Sequence, residues 1–192
     1  MPPLSILPTP PLLLQLLDHL DSRRHIGLQI ENMGSFFRFI PPRLGYSRAL
    51  DHAVQCVCSA YSSLLQPKDS KVDQHRRQYY RALRSLRLAC LDKDQVLSSN
   101  VLCATILLSW YEVRFRPHLP DSKIAQQLKI LADNLDDSCI THVRGSSSLI
   151  QLRGPARHQT GFGHALLKAD EGYIVRLMFT STINFLNYYS VL

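Results

Sequence analysis

The 192-residue chain predicts an all-α fold, an irregular bundle of antiparallel helices packed as helical hairpins. Most of its 11 prolines fall before residue 45 or at Pro117, Pro120 and Pro155, which leaves the centre of the chain free to form long helices. Apolar residues in that centre recur at helical spacing. With 45% apolar residues, the chain can bury a sizeable core.

The first 35 residues predict a proline-rich leader followed by a short helix. Pro8, Pro10 and Pro11 keep the start extended, and a helix is expected over Leu12 to His19. The start lacks the positive charge of a secretory signal. An aromatic plug then covers one end of the core, formed by Phe36, Phe37, Phe39 and Ile40. We therefore place the main domain at residues 36–192.

Two amphipathic helices are predicted next. The first carries apolar residues at helical spacing from Leu50 to Leu65 and is closed by Pro67. The second runs from about Val72 to Leu91, with an apolar stripe formed by Tyr79, Leu83, Leu86 and Cys90. The adjoining arc of this second helix is basic, because it carries Arg76, Arg77, Arg81, Arg84 and Arg87.

These five arginines account for much of the net charge of +7. A solvated helix face is the simplest interpretation, and a docking surface for an acidic partner is the functional one. Contact with DNA phosphates would also require an element that reads bases, and the sequence contains no recognisable one. The charge by itself therefore does not predict DNA binding.

A third helix, from about Asp94 to Phe115, is apolar nearly all round and belongs in the middle of the bundle. Glu112 is the exception on this helix, and it needs a cationic or hydrogen-bonding partner if it is buried. The polar segment over residues 116–138 is interpreted as an insertion between two core helices, with one short helix over 122–135.

A fourth helix is expected from Ser138 to Gly154, with an inner stripe formed by Ile140, Val143, Ser147 and Ile150. Glycine in mid-helix costs about 1 kcal/mol relative to alanine, so Gly145 predicts a neighbouring helix that crosses closely. Gly154-Pro155 ends the helix, because glycine adopts the left-handed C-terminal conformation and proline cannot continue the hydrogen bonds.

The C-terminal part begins with a loop expected from Gln159 to Gly163. Apolar segments follow at His164 to Ala169 and at Tyr173 to Phe179. The chain ends on the apolar pair Val191-Leu192, which favours either a truncated gene product or a surface that a partner covers.

No catalytic, cofactor or metal site is predicted. His142 has no ligand or catalytic partner at helical spacing, and the acidic cluster Asp133, Asp136 and Asp137 lacks a second metal motif. A small helical enzyme built on these residues is the least favoured function. No apolar stretch reaches the roughly 18 residues of a membrane span. The cysteines are odd in number and lie in apolar surroundings, as is typical of small buried side chains in a reducing compartment. They are Cys56, Cys58, Cys90, Cys103 and Cys139.

Several short motifs follow one another in a specific order. They are Tyr80-Arg81-Ala82-Leu83, the apolar helix ending in Tyr111-Glu112, His142 with Gly145, and Leu149-Ile150-Gln151-Leu152-Arg153-Gly154-Pro155. The later Gly161-Phe162-Gly163-His164 and Ile174-Val175 fit the same pattern. This order resembles the regulatory (middle homology) domain of fungal zinc binuclear cluster transcription factors over approximately residues 37–176. The motif residues we single out are Glu112, His142, Gly145, Arg153, Gly154 and Pro155.

The resemblance implies an all-helical domain that modulates transcription in the nucleus, often near genes of secondary metabolism. The family's six-cysteine zinc cluster is absent, since the chain contains no Cys-x2-Cys, and this argues against direct DNA binding. The implied function is regulation through protein partners, such as a full-length zinc-cluster regulator. A non-catalytic helical scaffold and an inactive truncated fragment are the alternatives.

Overall fold

A computed structural model of the chain describes residues 10–21, 35–65, 72–114 and 145–171. Within these ranges all the regular elements are helical, so the predicted all-α fold is confirmed. The α-helices of the described residues are α1 (Pro11–Asp21), α2 (Arg48–Leu65), α3 (Val72–Leu91), α4 (Ser99–Arg114), α5 (145–153) and α6 (161–171). Short 3-10 turns lie at Phe37–Phe39, Pro41–Arg43 and Pro155–His158.

Helix α2 is the centre of the packing and contacts α1, α3 and α4. His52, near the start of α2, bonds to Ser85 in the second half of α3. Tyr79, in the first half of α3, bonds to Glu112 near the end of α4. Consecutive helices in this part therefore run antiparallel, as expected.

Helix α4 occupies the middle of the bundle, since every residue from Val101 to Glu112 is buried. The buried hydroxyls of Thr105 and Ser109 each donate to the backbone carbonyl four residues earlier, at 3.0 Å. These bonds satisfy the two hydroxyl donors within the helix itself.

The start of α4 differs from the prediction, which placed it near Asp94. The carboxylate of Asp92 accepts hydrogen bonds from the Asp94 amide and the Gln95 side chain, and these bonds stabilise a turn. The Ser98 hydroxyl then accepts the Val101 amide at 3.2 Å and caps the helix. We call residues 92–98, which connect α3 to α4, the α3–α4 loop.

The N-terminal elements pack on the same core. Leu13 and Leu16 of α1 are buried in it, and α1 is slightly longer at both ends than the predicted helix. The aromatic plug is confirmed, because Phe36, Phe37 and Ile40 are buried. The ring of Phe37 meets Trp110 of α4 edge-on, with centroids 5.4 Å apart.

Two inner faces and one helix start differ in detail from the predictions. The buried side chains of α3 are Ala82, Leu86 and Ala89, whereas Cys90 is exposed. Those of α5 are Ser146, Leu149 and Arg153, whereas Ser147 and Ile150 are half-buried. Helix α6 begins at residue 161, inside the predicted loop.

Other predictions fall on residues outside the described ranges. They concern residues 1–9, the segment 116–138 with Asp133, Asp136 and Asp137, Cys139, Ile140, His142, Val143, and the segments at Tyr173 to Phe179 and Val191-Leu192. In the described part of the chain, no helix is both long enough and apolar enough to cross a membrane.

Candidate functional site

Arg153, in the last turn of α5, joins distant parts of the chain. Its side chain is only 6% exposed although it is charged. Nη1 donates to the Leu97 carbonyl at 2.8 Å, and Nη2 donates to the Ser99 hydroxyl at 2.9 Å. Nη1 of Arg157 donates to the same Leu97 carbonyl at 2.9 Å. The two guanidiniums therefore hold the start of α4 against the end of α5.

Burial, with a smaller contribution from the charge of Arg157, lowers the pKa of Arg153 below its usual 12.5. The hydrogen bonds of the guanidinium offset this cost of desolvation.

His158 extends this network to α6. Nε of Arg153 lies 3.4 Å from Nε2 of His158, and Nδ1 of His158 lies 3.2 Å from the Gly163 carbonyl. A guanidinium can only donate, so Nε2 accepts and the imidazole proton is on Nδ1, where it is donated to Gly163. The buried histidine thus connects α5 to the first turn of α6. We call Arg153, His158 and Gly163, with the Leu97 carbonyl, the Arg153 clamp.

Two glycines make the Arg153 clamp possible. Gly154 has φ 72°, in the left-handed region, and the reversal lets Pro155 begin the following 3-10 turn. This confirms the predicted end of the helix. At Gly163 a Cβ atom would lie 2.0 Å from the carbonyl oxygen of Arg157, so only glycine fits there.

Two further contacts fix α6. Phe162 packs against Phe39 of the aromatic plug, with ring centroids 5.7 Å apart. The Arg43 guanidinium lies over the Phe162 ring, 4.3 Å from its centroid, in a cation–π contact. The buried Ser146 hydroxyl of α5 donates to the buried carboxylate of Asp170. Burial raises the pKa of Asp170 above its usual 3.8, the Ser146 hydrogen bond opposes this rise, and the charge of Glu171 adds to it.

Glu112 is buried and has the hydrogen-bonding partner that its burial requires. The Tyr79 hydroxyl donates to Oε1 of Glu112, and the Tyr79 ring stacks on Tyr111 with centroids 4.9 Å apart. Glu112 lies 13 positions after Ser99 on α4, about 20 Å along the helix axis. It is therefore far from the Arg153 clamp, and the two do not form one site.

Gly145 is the first described residue of α5 and lies beside α4. A Cβ atom built there would be 4.0 Å from Cγ2 of Thr105, which is an ordinary contact. Helix α4 therefore passes close to Gly145, as predicted, although the contact leaves room for a Cβ atom. Of the other motif residues, the structure brings Arg153, Gly154 and Pro155 together, whereas His142 lies outside the described residues.

The basic arc predicted on α3 faces solvent. Arg77, Arg81, Arg84 and Arg87 are exposed and Arg76 is half-buried. Among the described residues, none of these five guanidiniums forms an ion pair with a carboxylate. Three large apolar side chains share the arc at helical spacing: Tyr80, Leu88 and Leu91, which are 62%, 61% and 73% exposed. We call this mixed surface the basic face of α3.

A half-open cleft of about 1050 Å³ lies beside the basic face, and the sequence did not predict it. It is bordered by the start of α2, the second half of α3 and the α3–α4 loop. We call it the α2–α3 cleft. Its cationic and acidic lining residues are Arg48, Arg81, Arg84, Asp92 and Asp94.

His52 lines the same cleft, with Nδ1 2.6 Å from the Ser85 hydroxyl. The Ser85 hydroxyl donates its own proton to the Arg81 carbonyl at 3.1 Å, so Nδ1 of His52 is the donor of the pair. Burial, followed by the charges of Arg81 and Arg48, lowers the pKa of His52 below its usual 6.5. The imidazole is therefore neutral at physiological pH.

The four thiols of the described residues are poor nucleophiles. Cys56, Cys58 and Cys103 are buried, and burial raises the pKa of each, to about 12 for Cys58. Cys90 is exposed, contrary to the prediction, and partial burial still raises its pKa. The described residues bring together no group of three His, Cys, Asp or Glu side chains that could hold a metal ion.

Comparison with known proteins identifies the chain. The family model of the fungal specific transcription factor domain matches residues 26–180, which include α2 to α6. The chain belongs to this family. The Arg153 clamp, the basic face of α3 and the α2–α3 cleft are thus features of a fungal transcription factor domain.

An uncharacterized protein of Emericella nidulans is 28% identical to the domain over 125 residues. The aligned part is 65% of this chain and 23% of that protein, so the chain spans less than a quarter of the length of this curated relative. No solved structure matches the chain.

Proposed function

We propose that this fungal transcription factor domain regulates transcription in the nucleus through protein contacts, without catalysis and without a DNA-binding zinc cluster in these 192 residues. The partner is an acidic segment of a full-length zinc-cluster regulator. The observation that carries the proposal is the basic face of α3, with its unpaired arginines and exposed apolar side chains.

Both components of this face favour a protein partner. A single exposed ion pair contributes little, about 0–1 kcal/mol, but several like charges on one face create a potential that speeds association and rejects basic partners. Tyr80, Leu88 and Leu91 add apolar surface that can be desolvated on contact. Arginine and tyrosine together are typical of the residues that dominate binding at interfaces. The face therefore fits an acidic segment with interspersed apolar residues.

The interaction can be tested by co-precipitation with full-length zinc-cluster regulators of the same organism. Charge reversal in the double variant Arg77→Glu/Arg87→Glu should reduce recovery of the partner by at least about tenfold. The control variant Arg38→Glu/Lys168→Glu changes the net charge equally, and its two exposed residues lie in the first 3-10 turn and on α6 rather than on α3. Equal recovery with both variants would exclude the basic face as the docking surface.

The target genes are proposed to belong to secondary metabolism, on the strength of the resemblance to regulators of such genes. Deletion and overexpression of the chain, followed by transcript sequencing, should change the expression of a limited set of clustered genes. A reporter fusion should accumulate in the nucleus. Unchanged transcripts together with intact partner binding would instead identify a helical scaffold.

A further inference from the structure

The α2–α3 cleft contains more positive charge than its own residues neutralise. Arg48, Arg81 and Arg84 line it, and all three are exposed. The carboxylates of Asp92 and Asp94 lie in the same lining, so three arginines face two acidic residues and one positive charge is in excess. The Asp92 carboxylate accepts hydrogen bonds within the α3–α4 loop, from the Asp94 amide at 2.9 Å and from the Gln95 side chain. No guanidinium of the three pairs with a carboxylate in the described part of the molecule.

The charges act on one region of the cleft rather than on separate surfaces. Arg48 comes from the first turn of α2 and Arg81 from α3, yet both line the cleft that His52 also lines, and the charges of both lower the pKa of His52. The neutral His52 adds no positive charge of its own. The positive potentials of two helices therefore overlap in this cleft and attract an anion there.

Most of the surface that lines the cleft is apolar, although Ser47, Gln95 and Asn100 contribute polar groups. Ala49 and Ala89 are buried and form the floor, while Tyr46 and Leu88 are exposed at the rim. The volume of about 1050 Å³ is at the upper end for a small-molecule site. The occupant that fits this combination has an anionic group at one end and an apolar body.

We propose that the α2–α3 cleft binds a small organic acid, whose carboxylate pairs with Arg48 and Arg81 and whose apolar body packs on Ala49, Ala89 and Leu88. Arg84 at the rim adds to the attraction for the anion. The cleft shares Arg81, Arg84 and Leu88 with the basic face of α3. Arg48 belongs to the cleft alone, whereas Arg77 and Arg87 belong to the basic face alone, so variants at these positions separate the two proposals. The bound acid would also contact the α3–α4 loop, whose Leu97 carbonyl the Arg153 clamp holds.

The probe for this site is 2-naphthoate, a carboxylate with an apolar body, titrated into the full chain and followed by calorimetry. We expect saturable binding with one site. Arg48→Gln and Arg81→Gln should each weaken binding roughly tenfold, because each removes a charge-assisted hydrogen bond. The matched control Arg77→Gln, on the basic face but outside the cleft, should bind as the wild type does. All three side chains are exposed, and circular dichroism verifies the fold of each variant.

Two further ligands separate charge from apolar contact. The uncharged 2-naphthalenemethanol should bind at least about tenfold more weakly than 2-naphthoate, since it cannot pair with guanidiniums. Inorganic phosphate at the same concentration should not displace 2-naphthoate. Equal affinity for the alcohol, displacement by phosphate, wild-type affinity of Arg48→Gln, or no saturable binding would each overturn the proposal.

The proposed protein partner and the proposed organic-acid site can be refuted separately. Arg77→Glu/Arg87→Glu should lose the protein partner and keep 2-naphthoate, whereas Arg48→Gln should keep the partner and lose affinity for 2-naphthoate. Loss of both ligands in both variants would contradict the assignment of two distinct sites.

Discussion

Replacing Arg153 by methionine keeps an unbranched stem of similar length but removes every hydrogen bond that the guanidinium donates within the Arg153 clamp. The two short hydrogen bonds, to the Leu97 carbonyl and the Ser99 hydroxyl, each contribute about 1.5–3 kcal/mol because the donor is charged. Nε2 of His158 would lose its donor while buried, at a further cost of about 1–3 kcal/mol. Methionine does not carry the desolvation cost of a buried guanidinium, and this difference offsets part of the lost hydrogen-bond free energy.

The net loss of unfolding free energy should therefore be about 3–5 kcal/mol, a large part of the 5–15 kcal/mol typical of a domain. For a chain of this length the melting temperature should fall by roughly 10 °C. Urea denaturation followed by circular dichroism measures the free energy directly.

The matched control is Arg157→Met, which removes the second donor to Leu97. Arg157 is exposed, and the Leu97 carbonyl would keep its bond from Arg153, so the cost should stay below about 1 kcal/mol. Equal destabilisation by the two variants would refute the view that the buried guanidinium, rather than positive charge near Leu97, fixes the start of α4.

Three further substitutions test other contacts. Gly163→Ala places a methyl group 2.0 Å from the Arg157 carbonyl and should cost about 2–4 kcal/mol in urea denaturation, since backbone must move. Tyr79→Phe removes the donor to buried Glu112 and should cost about 1–3 kcal/mol; a loss below about 0.5 kcal/mol would show that this hydrogen bond adds little. Asp170 has a pKa raised above 3.8 in the folded state, so the folded protein binds its proton more tightly than the unfolded chain does. Its contribution to stability is therefore greatest below pH 3.8 and is lost as pH rises through the folded-state pKa. Asp170→Asn should be more stable than the wild type at pH 7, and this advantage should shrink as pH falls toward 3.8.

The predictions from the sequence succeeded where one local signal decided the structure. Helix α3 has the predicted bounds, because apolar spacing persists from Val72 to Leu91 and ends before Asp92. Helix α5 ends before Gly154-Pro155, as predicted, and Gly154 has the positive φ that favours glycine. The predicted start of α4 near Asp94 was too early. Residues 94–98 suit a helix by composition, and only the side-chain hydrogen bonds of Asp92 and Ser98 select a turn.

The site was harder to predict than the helices. The basic face followed from arginine spacing on one helix. Burial of Arg153 did not follow, because its acceptors at Leu97 and Ser99 lie more than 50 positions earlier in the chain. Because the sequence does not reveal that contact, Arg153 was not predicted to be buried. The predicted inner stripe of α5 is therefore displaced by one residue from the observed one. The α2–α3 cleft likewise depends on how two helices and a loop meet, which periodicity along one element does not specify.

The hydrogen bonds from α5 to the Leu97 carbonyl also bear on how the domain tolerates changes in length. They fix the position of the start of α4 relative to the end of α5 by direct contact, whatever number of residues connects the two helices. The separation in sequence between the two helices and their relative placement are therefore specified by different parts of the chain, because the placement depends on Arg153, Arg157 and the Leu97 carbonyl.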